Sequence, residues 1–350
     1  MAPRQIGDQS SDQTSDRTSD WPDVRLHVVT GKGGTGKSTV AAALALALAT
    51  HDKHVLLCEV EGRQGIARMF DVDPLPYAER RLATGQPGDD GERGGVVHAL
   101  HIEPEAALLE YLSMYYKLGR AGRALDRFGV TEFATTVAPG LRDVLLTGKV
   151  YETTKRNARN KGAIEYDAVV LDAPPTGRIA QFLGVTNELA GLAKVGPIKT
   201  QSDNVTRLLR SDRTAVHLVT LLEEMPVQEI VDGIADLRAH DLPVGGVVVN
   251  MVRPRDLDDR ALAAVRKGKV DPNAVMADLK KVGLEADDTL VEGLLAEARD
   301  HAERRALEEA QHKVVAELGV PTYELPRRVG GIDLGAVYEL AGLLREQGMA

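Results

Sequence analysis

Along most of the chain, short and almost continuously apolar runs alternate with longer stretches of helical periodicity. Residues 25–30 (RLHVVT), 54–60 (HVLLCEV), 96–102 (VVHALHI), 168–172 (AVVLD), 215–220 (AVHLVT), 244–252 (VGGVVVNMV) and 322–325 predict strands. Runs this apolar suit strands covered on both faces, as in a parallel sheet. Residues 37–50, rich in Ala and Leu, predict a helix after the first strand. Two stretches, 104–159 and 256–319, carry helical periodicity without strands. The expected fold is α/β: a doubly wound, mostly parallel sheet, with a helical subdomain inserted at about 104–160 and 186–210. Residues 23–350 are expected to form one domain, and no internal repeat interrupts it. Residues 1–22 predict a disordered tail, because 9–20 reads QSSDQTSDRTSD and offers almost nothing to bury. Residues 85–95 (GQPGDDGERGG) form a second polar loop.

Charge and cysteine content narrow the chemistry. With 43 Lys and Arg against 52 Asp and Glu, the net charge of −9 disfavours non-specific nucleic-acid binding, so no nucleic-acid partner is expected. The one cysteine, Cys58, excludes a disulfide framework, a multi-cysteine zinc site and an all-cysteine iron–sulfur cluster within one chain. It lies inside a predicted strand and reads as a small core residue. The longest apolar run, residues 40–49, is half of what a bilayer requires, and no apolar segment follows the N-terminus. A soluble cytoplasmic protein without stable membrane insertion is expected.

Residues 31–39 read GKGGTGKST, between the first strand and the first helix. Glycines here let successive backbone N–H groups curl around phosphate oxygens, and the following helix adds its positive end. Gly31, Gly33, Gly34, Thr35 and Gly36 form that cradle. Lys37 is placed to reach the β- and γ-phosphates, Ser38 to ligate Mg²⁺ and Thr39 to touch the α-phosphate. The fold expectation thereby sharpens to a P-loop NTPase using ATP and Mg²⁺.

Lys32, directly after the first glycine, resembles the lysine of the deviant Walker A loops in the MinD, ParA, ArsA and nitrogenase-iron-protein superfamily. The resemblance implies that Lys32 reaches a partner subunit's nucleotide and that ATP gates dimerisation. Residues 172–183 (DAPPTGRIAQFL) resemble switch II of the ArsA family, with Asp172 placed to hold a Mg²⁺-bound water. Residues 101–112 (HIEPEAALLEYL), 219–229 (VTLLEEMPVQE) and 247–252 (VVVNMV) are similar to further segments of that family. The last places Asn250 where the family reads the adenine edge. Together the resemblance spans about 25–340 and is closest to actinobacterial ArsA-like ATPases that occur as adjacent, non-identical pairs. It implies a homodimer or a heterodimer with a paralogue, cycling between open and closed states to handle a client.

The departures from the family matter as much. In residues 59–70 (EVEGRQGIARMF), Glu61 occupies the position of the switch I aspartate that positions the attacking water. Its extra methylene moves the carboxylate by about 1.5 Å, a displacement that can cost about a hundredfold in rate. Arg178 replaces the switch II histidine. Arg328 replaces a glutamate in the base-contacting loop that follows Pro326. Lys32, Glu61 and Asp172 are thus the expected catalytic residues. Asn250, Pro326 and Arg328 join the loop as nucleotide contacts, and slow or partner-dependent hydrolysis is expected. Two other readings stand beside this one: a nucleotide-bound scaffold with little turnover, and a MinD- or ParA-type positioning ATPase. The helical residues Leu108, Leu109, Leu112, Met114, Tyr115, Tyr116 and Leu118 hold a single methionine, so this face is expected to pack on the core rather than to grip cargo.

Overall fold

The computed structural model describes residues 19–60, 62, 64–87, 93–116, 141–157, 159–160, 162–184 and 197–350. Eight strands among them form one sheet: β1 (Leu26–Gly31), β2 (His54–Glu59), β3 (Arg80–Thr84), β4 (Val96–His101), β5 (Ala168–Asp172), β6 (Thr214–Thr220), β7 (Val244–Val252) and β8 (Thr322–Pro326). Their order is β3-β4-β2-β5-β1-β6-β7-β8. All pairings are parallel except that of β3 with β4. This is the expected doubly wound sheet, with one edge strand that the apolar pattern misses.

Eleven helices accompany it among the described residues: α1 (Lys37–Leu48), α2 (Gly65–Met69), α3 (Pro104–Tyr116), α4 (Leu141–Thr154), α5 (Thr176–Gly184), α6 (Pro197–Leu209), α7 (Glu224–Ala239), α8 (Asp259–Arg266), α9 (Pro272–Lys281), α10 (Asp288–Ala316) and α11 (Leu334–Glu346). Helix α1 is apolar all round and buried from Val40 to Ala47, as a helix enclosed on every side must be. Its alanines let it lie between the sheet and α11. The opposite face of the sheet is covered by α3 to α7, whose Leu108, Leu146, Ile179, Leu208 and Ile230 share one core with β1, β5 and β6. Leu108 is therefore a core residue, as its helical face suggests, whereas Leu109 is exposed. Cys58 is fully buried in the same core, and burial pushes its thiol well above the ordinary range, leaving it unreactive. The described parts of the expected helical subdomain, α3, α4 and α6, belong to this layer; residues 117–140 and 185–196 lie outside the described residues.

Residues 19–22 of the expected tail are tied down. The Trp21 indole donates to the Tyr323 hydroxyl at 3.0 Å, and that hydroxyl donates to Asp20 at 2.6 Å. The Trp21 ring stands edge-on to His217. Residues 1–18 lie outside the described residues.

His217 and its neighbour His27 form a stacked, fully buried pair at the end of the sheet where β1 begins. The Gly246 N–H donates to His217 Nδ1, so its Nε2 carries the proton and donates to His27 Nδ1 at 3.1 Å. Burial pushes His27 down to about 4 and His217 well below its ordinary value. Both rings are neutral in the folded state, while in the unfolded chain they take up protons near pH 6.5. The unfolded state thus binds more protons between pH 6.5 and about 4. Stability is complete above that window and is lost as the pH falls through it, by about 3 kcal/mol for His27 alone. Melting curves between pH 7.5 and 4.5 should show this fall, and His27→Gln with His217→Gln should flatten it. An equally steep slope in that double variant would exonerate the pair.

Candidate nucleotide site

The loop between β1 and α1 is shaped by its glycines. Gly36, the residue before α1, has φ 88°, and a Cβ built on it would lie 2.3 Å from the Asn250 amide nitrogen. A Cβ on Gly31 would lie 2.3 Å from the Val219 carbonyl. A side chain at Gly31 would displace the β6 backbone, and one at Gly36 would displace the Asn250 amide and strain the left-handed backbone. The loop closes on itself where the Thr35 hydroxyl donates to the Lys32 carbonyl at 2.8 Å. It is pinned from behind by Asn250, whose Nδ2 donates to the Thr35 carbonyl at 2.8 Å. The open N–H groups of the first turn of α1 follow directly.

Ser38 heads that turn, and its hydroxyl donates to Asp172 Oδ2 at 2.5 Å. Asp172 ends β5 and is only 6% exposed. One hydroxyl beside one carboxylate is a hard, oxygen-only donor set, the kind Mg²⁺ selects when phosphates and water complete its shell. These residues fit that ion. Behind them, Thr30 near the end of β1 donates to the Pro174 carbonyl at 2.7 Å, so the strand that leads into the phosphate loop is bonded directly to the segment entering α5. The Thr39 hydroxyl rests on the Met69 sulfur at 3.6 Å.

Strand register reveals two residues that the sequence reading passed over. Asp172 pairs with Glu59, and Glu59 with His101, across β5, β2 and β4. Three titratable side chains therefore stand in a row at the carboxyl edge of the sheet, beside the loop. Glu59 is 1% exposed; its Oε1 accepts the Gly65 N–H at 2.8 Å and its Oε2 lies 3.5 Å from His101 Nδ1. A Cβ on Gly65 would come within 3.6 Å of Glu59 Oε1 and 4.0 Å of Ser38 Oγ, so the Glu59 carboxylate borders the Ser38 side of the site. An acid inside an apolar strand reads as an interruption of the core; only the register shows what stands next to it.

Glu61 lies outside the described residues. Arg178 is exposed and lines a small cavity with Gly62, Pro174, Arg142 and Asp143. Burial raises the Asp143 carboxyl above its usual range, opposed by the Arg178 and Arg142 charges. At the other end of the loop a cavity of about 490 Å³ is lined by Asn250, Met251, Arg327, Leu307 and Gln311. That volume suits a small organic ligand. Pro326 closes β8 against Val252. The Arg328 guanidinium lies 2.7 Å from Glu339 on α11, and its neighbour Arg327 faces the cavity.

A parallel sheet carrying a glycine-bent loop into a helix, with a serine and a strand-end aspartate joined beside it, defines a P-loop nucleotide-hydrolase fold. The chain belongs to the ArsA ATPase family: the family model described as anion-transporting ATPase matches residues 24–211. ATPase BagA of Mycobacterium tuberculosis (strain ATCC 25618 / H37Rv) is 54% identical over 333 residues, covering 94% of this chain and 96% of that protein. ATPase GET3 of Kluyveromyces lactis is 24% identical over 265 residues, 66% of this chain and 73% of that one. The resemblance carried by the loop and by residues 172–183 is thus a family relationship, and ATPase activity is the family's chemistry.

Proposed function

We propose that the chain is a Mg²⁺-dependent ATPase that works as a dimer, with itself or with a paralogous ATPase, and uses ATP-driven closure to handle a client. The observation that carries this reading is the pair of bonds Ser38–Asp172 and Thr30–Pro174. Through them the loop, the metal-binding pair and the start of α5 form one connected unit. Ser38 and Asp172 are the residues that would hold Mg²⁺ beside the phosphates. The ion supplies charge neutralisation for the phosphates. The chain supplies the backbone cradle, the Lys37 ammonium and the Asp172 carboxylate that orients metal-bound water. Asn250 keeps its carbonyl oxygen as an acceptor, which suits the 6-amino group of adenine and not the 6-oxo group of guanine. Glu61 remains the proposed water-positioning acid. Among the described residues no helix is long and apolar enough to cross a membrane, and a cytoplasmic location is part of the proposal.

Lys32 tests the dimer. Facing γ-phosphates repel, and a lysine donated across the interface offsets that repulsion most strongly where water is excluded. Lys32→Ala is expected to leave ATP binding by the isolated chain within about threefold while weakening ATP-dependent association and slowing turnover by at least about tenfold. Sedimentation with a non-hydrolysable ATP analogue, with and without the paralogue, reads the association. If the variant associates and hydrolyses like the parent, Lys32 has no role across the interface.

A further inference from the structure

Met251 occupies a backbone conformation that suits it poorly. Its φ is 56°, in the left-handed region that glycine and asparagine enter readily and other side chains seldom do. The cause is a bulge. Val249 faces Glu324 and Val252 faces Pro326, so β7 takes three steps where β8 takes two. The extra residue brings Asn250 and Met251 to the same side, both side chains approaching Gly36, where a regular strand would turn them to opposite faces. Asn250 is buried and bonded to the phosphate loop, whereas Met251 is 42% exposed.

Core packing does not require a methionine there. The side chain lines the 490 Å³ cavity, and its methyl group would lie 3.7 Å from a Cβ on Gly36, at the point where the phosphate loop enters α1. On that side the cavity between Met251 and the wall made by Leu307 and Gln311 of α10 and by Arg327 has room for the remaining part of a ligand whose phosphates occupy the loop. Local strain held in place at a site edge, and bearing an exposed soft side chain, points to a ligand contact. A thioether packs well on the face or edge of an aromatic ring.

We infer that Met251 is the platform on which the nucleotide's purine ring rests, and that the β7 bulge exists to present it. This rests on the reading of residues 31–39 as an ATP site. Asn250 then contacts the rim of the base while Met251 contacts its face, and neither residue touches the phosphates.

The test compares ATP with inorganic tripolyphosphate, which keeps the phosphates and lacks the base, each with Mg²⁺ and the full chain. Met251→Gly removes the side chain and relieves the backbone. It is expected to weaken ATP binding about threefold to tenfold, to leave tripolyphosphate affinity unchanged and not to lower the melting temperature. Met251→Asn, which also tolerates the left-handed backbone, should behave alike and serves if the glycine variant is unstable. Unchanged ATP affinity would overturn the inference. So would an equal loss for both ligands, which would mean that the loop itself had moved. A parent protein that binds neither ligand would instead overturn the ATP site, and the inference with it.

Discussion

Lys37→Ala is expected to lower Mg-ATP affinity about a hundredfold. The loop's backbone N–H groups and the end of α1 contribute many weak contacts to phosphate, but the lysine ammonium is the one full positive charge that the motif aims at the β- and γ-oxygens. Each charge-assisted hydrogen bond of this kind is worth roughly 1.5–3 kcal/mol, and about 2.7 kcal/mol corresponds to two orders of magnitude. The fold should be indifferent. Lys37 opens α1 at its solvent-facing end, and the buried stretch of that helix begins only at Val40. Calorimetric titration with Mg-ATP gives the affinity and a thermal melt gives the stability. Undiminished affinity would show that the phosphates do not sit in this loop.

Asp172→Asn should cost about 10²–10³ in turnover while leaving metal-free nucleotide binding close to that of the parent. The amide keeps the size of the carboxylate and can still accept the Ser38 hydroxyl, so the 2.5 Å contact need not be lost. What disappears is the negative charge that orders metal-bound water, and removing one preorganised electrostatic group from a catalytic site carries a penalty of that order. Asp172 also stands one strand away from the buried Glu59 carboxylate. Neutralising one of two neighbouring acids relieves their repulsion, so the melting temperature should hold steady or rise. A large loss of stability with a proportionate loss of activity would instead make Asp172 a structural residue.

Much of this architecture was legible in the pattern of apolar residues. Seven of the eight described strands fall where that pattern puts them, because parallel strands covered on both faces must be apolar nearly throughout. β3 escaped because RRLAT lies at the sheet edge with both arginines exposed, so burial leaves no mark on its sequence. The phosphate loop was legible because its requirements are local: glycines for the backbone, one lysine, one serine, then a helix. Glu59 and His101 were not, since their meaning depends on which strands are neighbours, and β2 and β4 are separated in sequence by α2 and β3. Met251 was beyond reach for another reason. A left-handed backbone at methionine runs against local preference, and only the pairing of β7 with β8 shows that the chain has one residue too many there. Arg327 was passed over for a similar reason: its place on the cavity wall is visible only once β8 is set beside β7.

The anchoring of Trp21 has a practical corollary. The chain contains a single tryptophan, and its indole is wedged between a buried imidazole and a tyrosine at the edge of the sheet opposite the phosphate loop. Nature has thus supplied a built-in optical probe at the foot of the molecule, remote from the chemistry. Its emission is expected to report whether the packing of the indole on His217 and Tyr323 is intact. Fluorescence and a nucleotide-binding signal recorded in the same cuvette therefore separate a variant that has lost its ligand from one that has lost its scaffold.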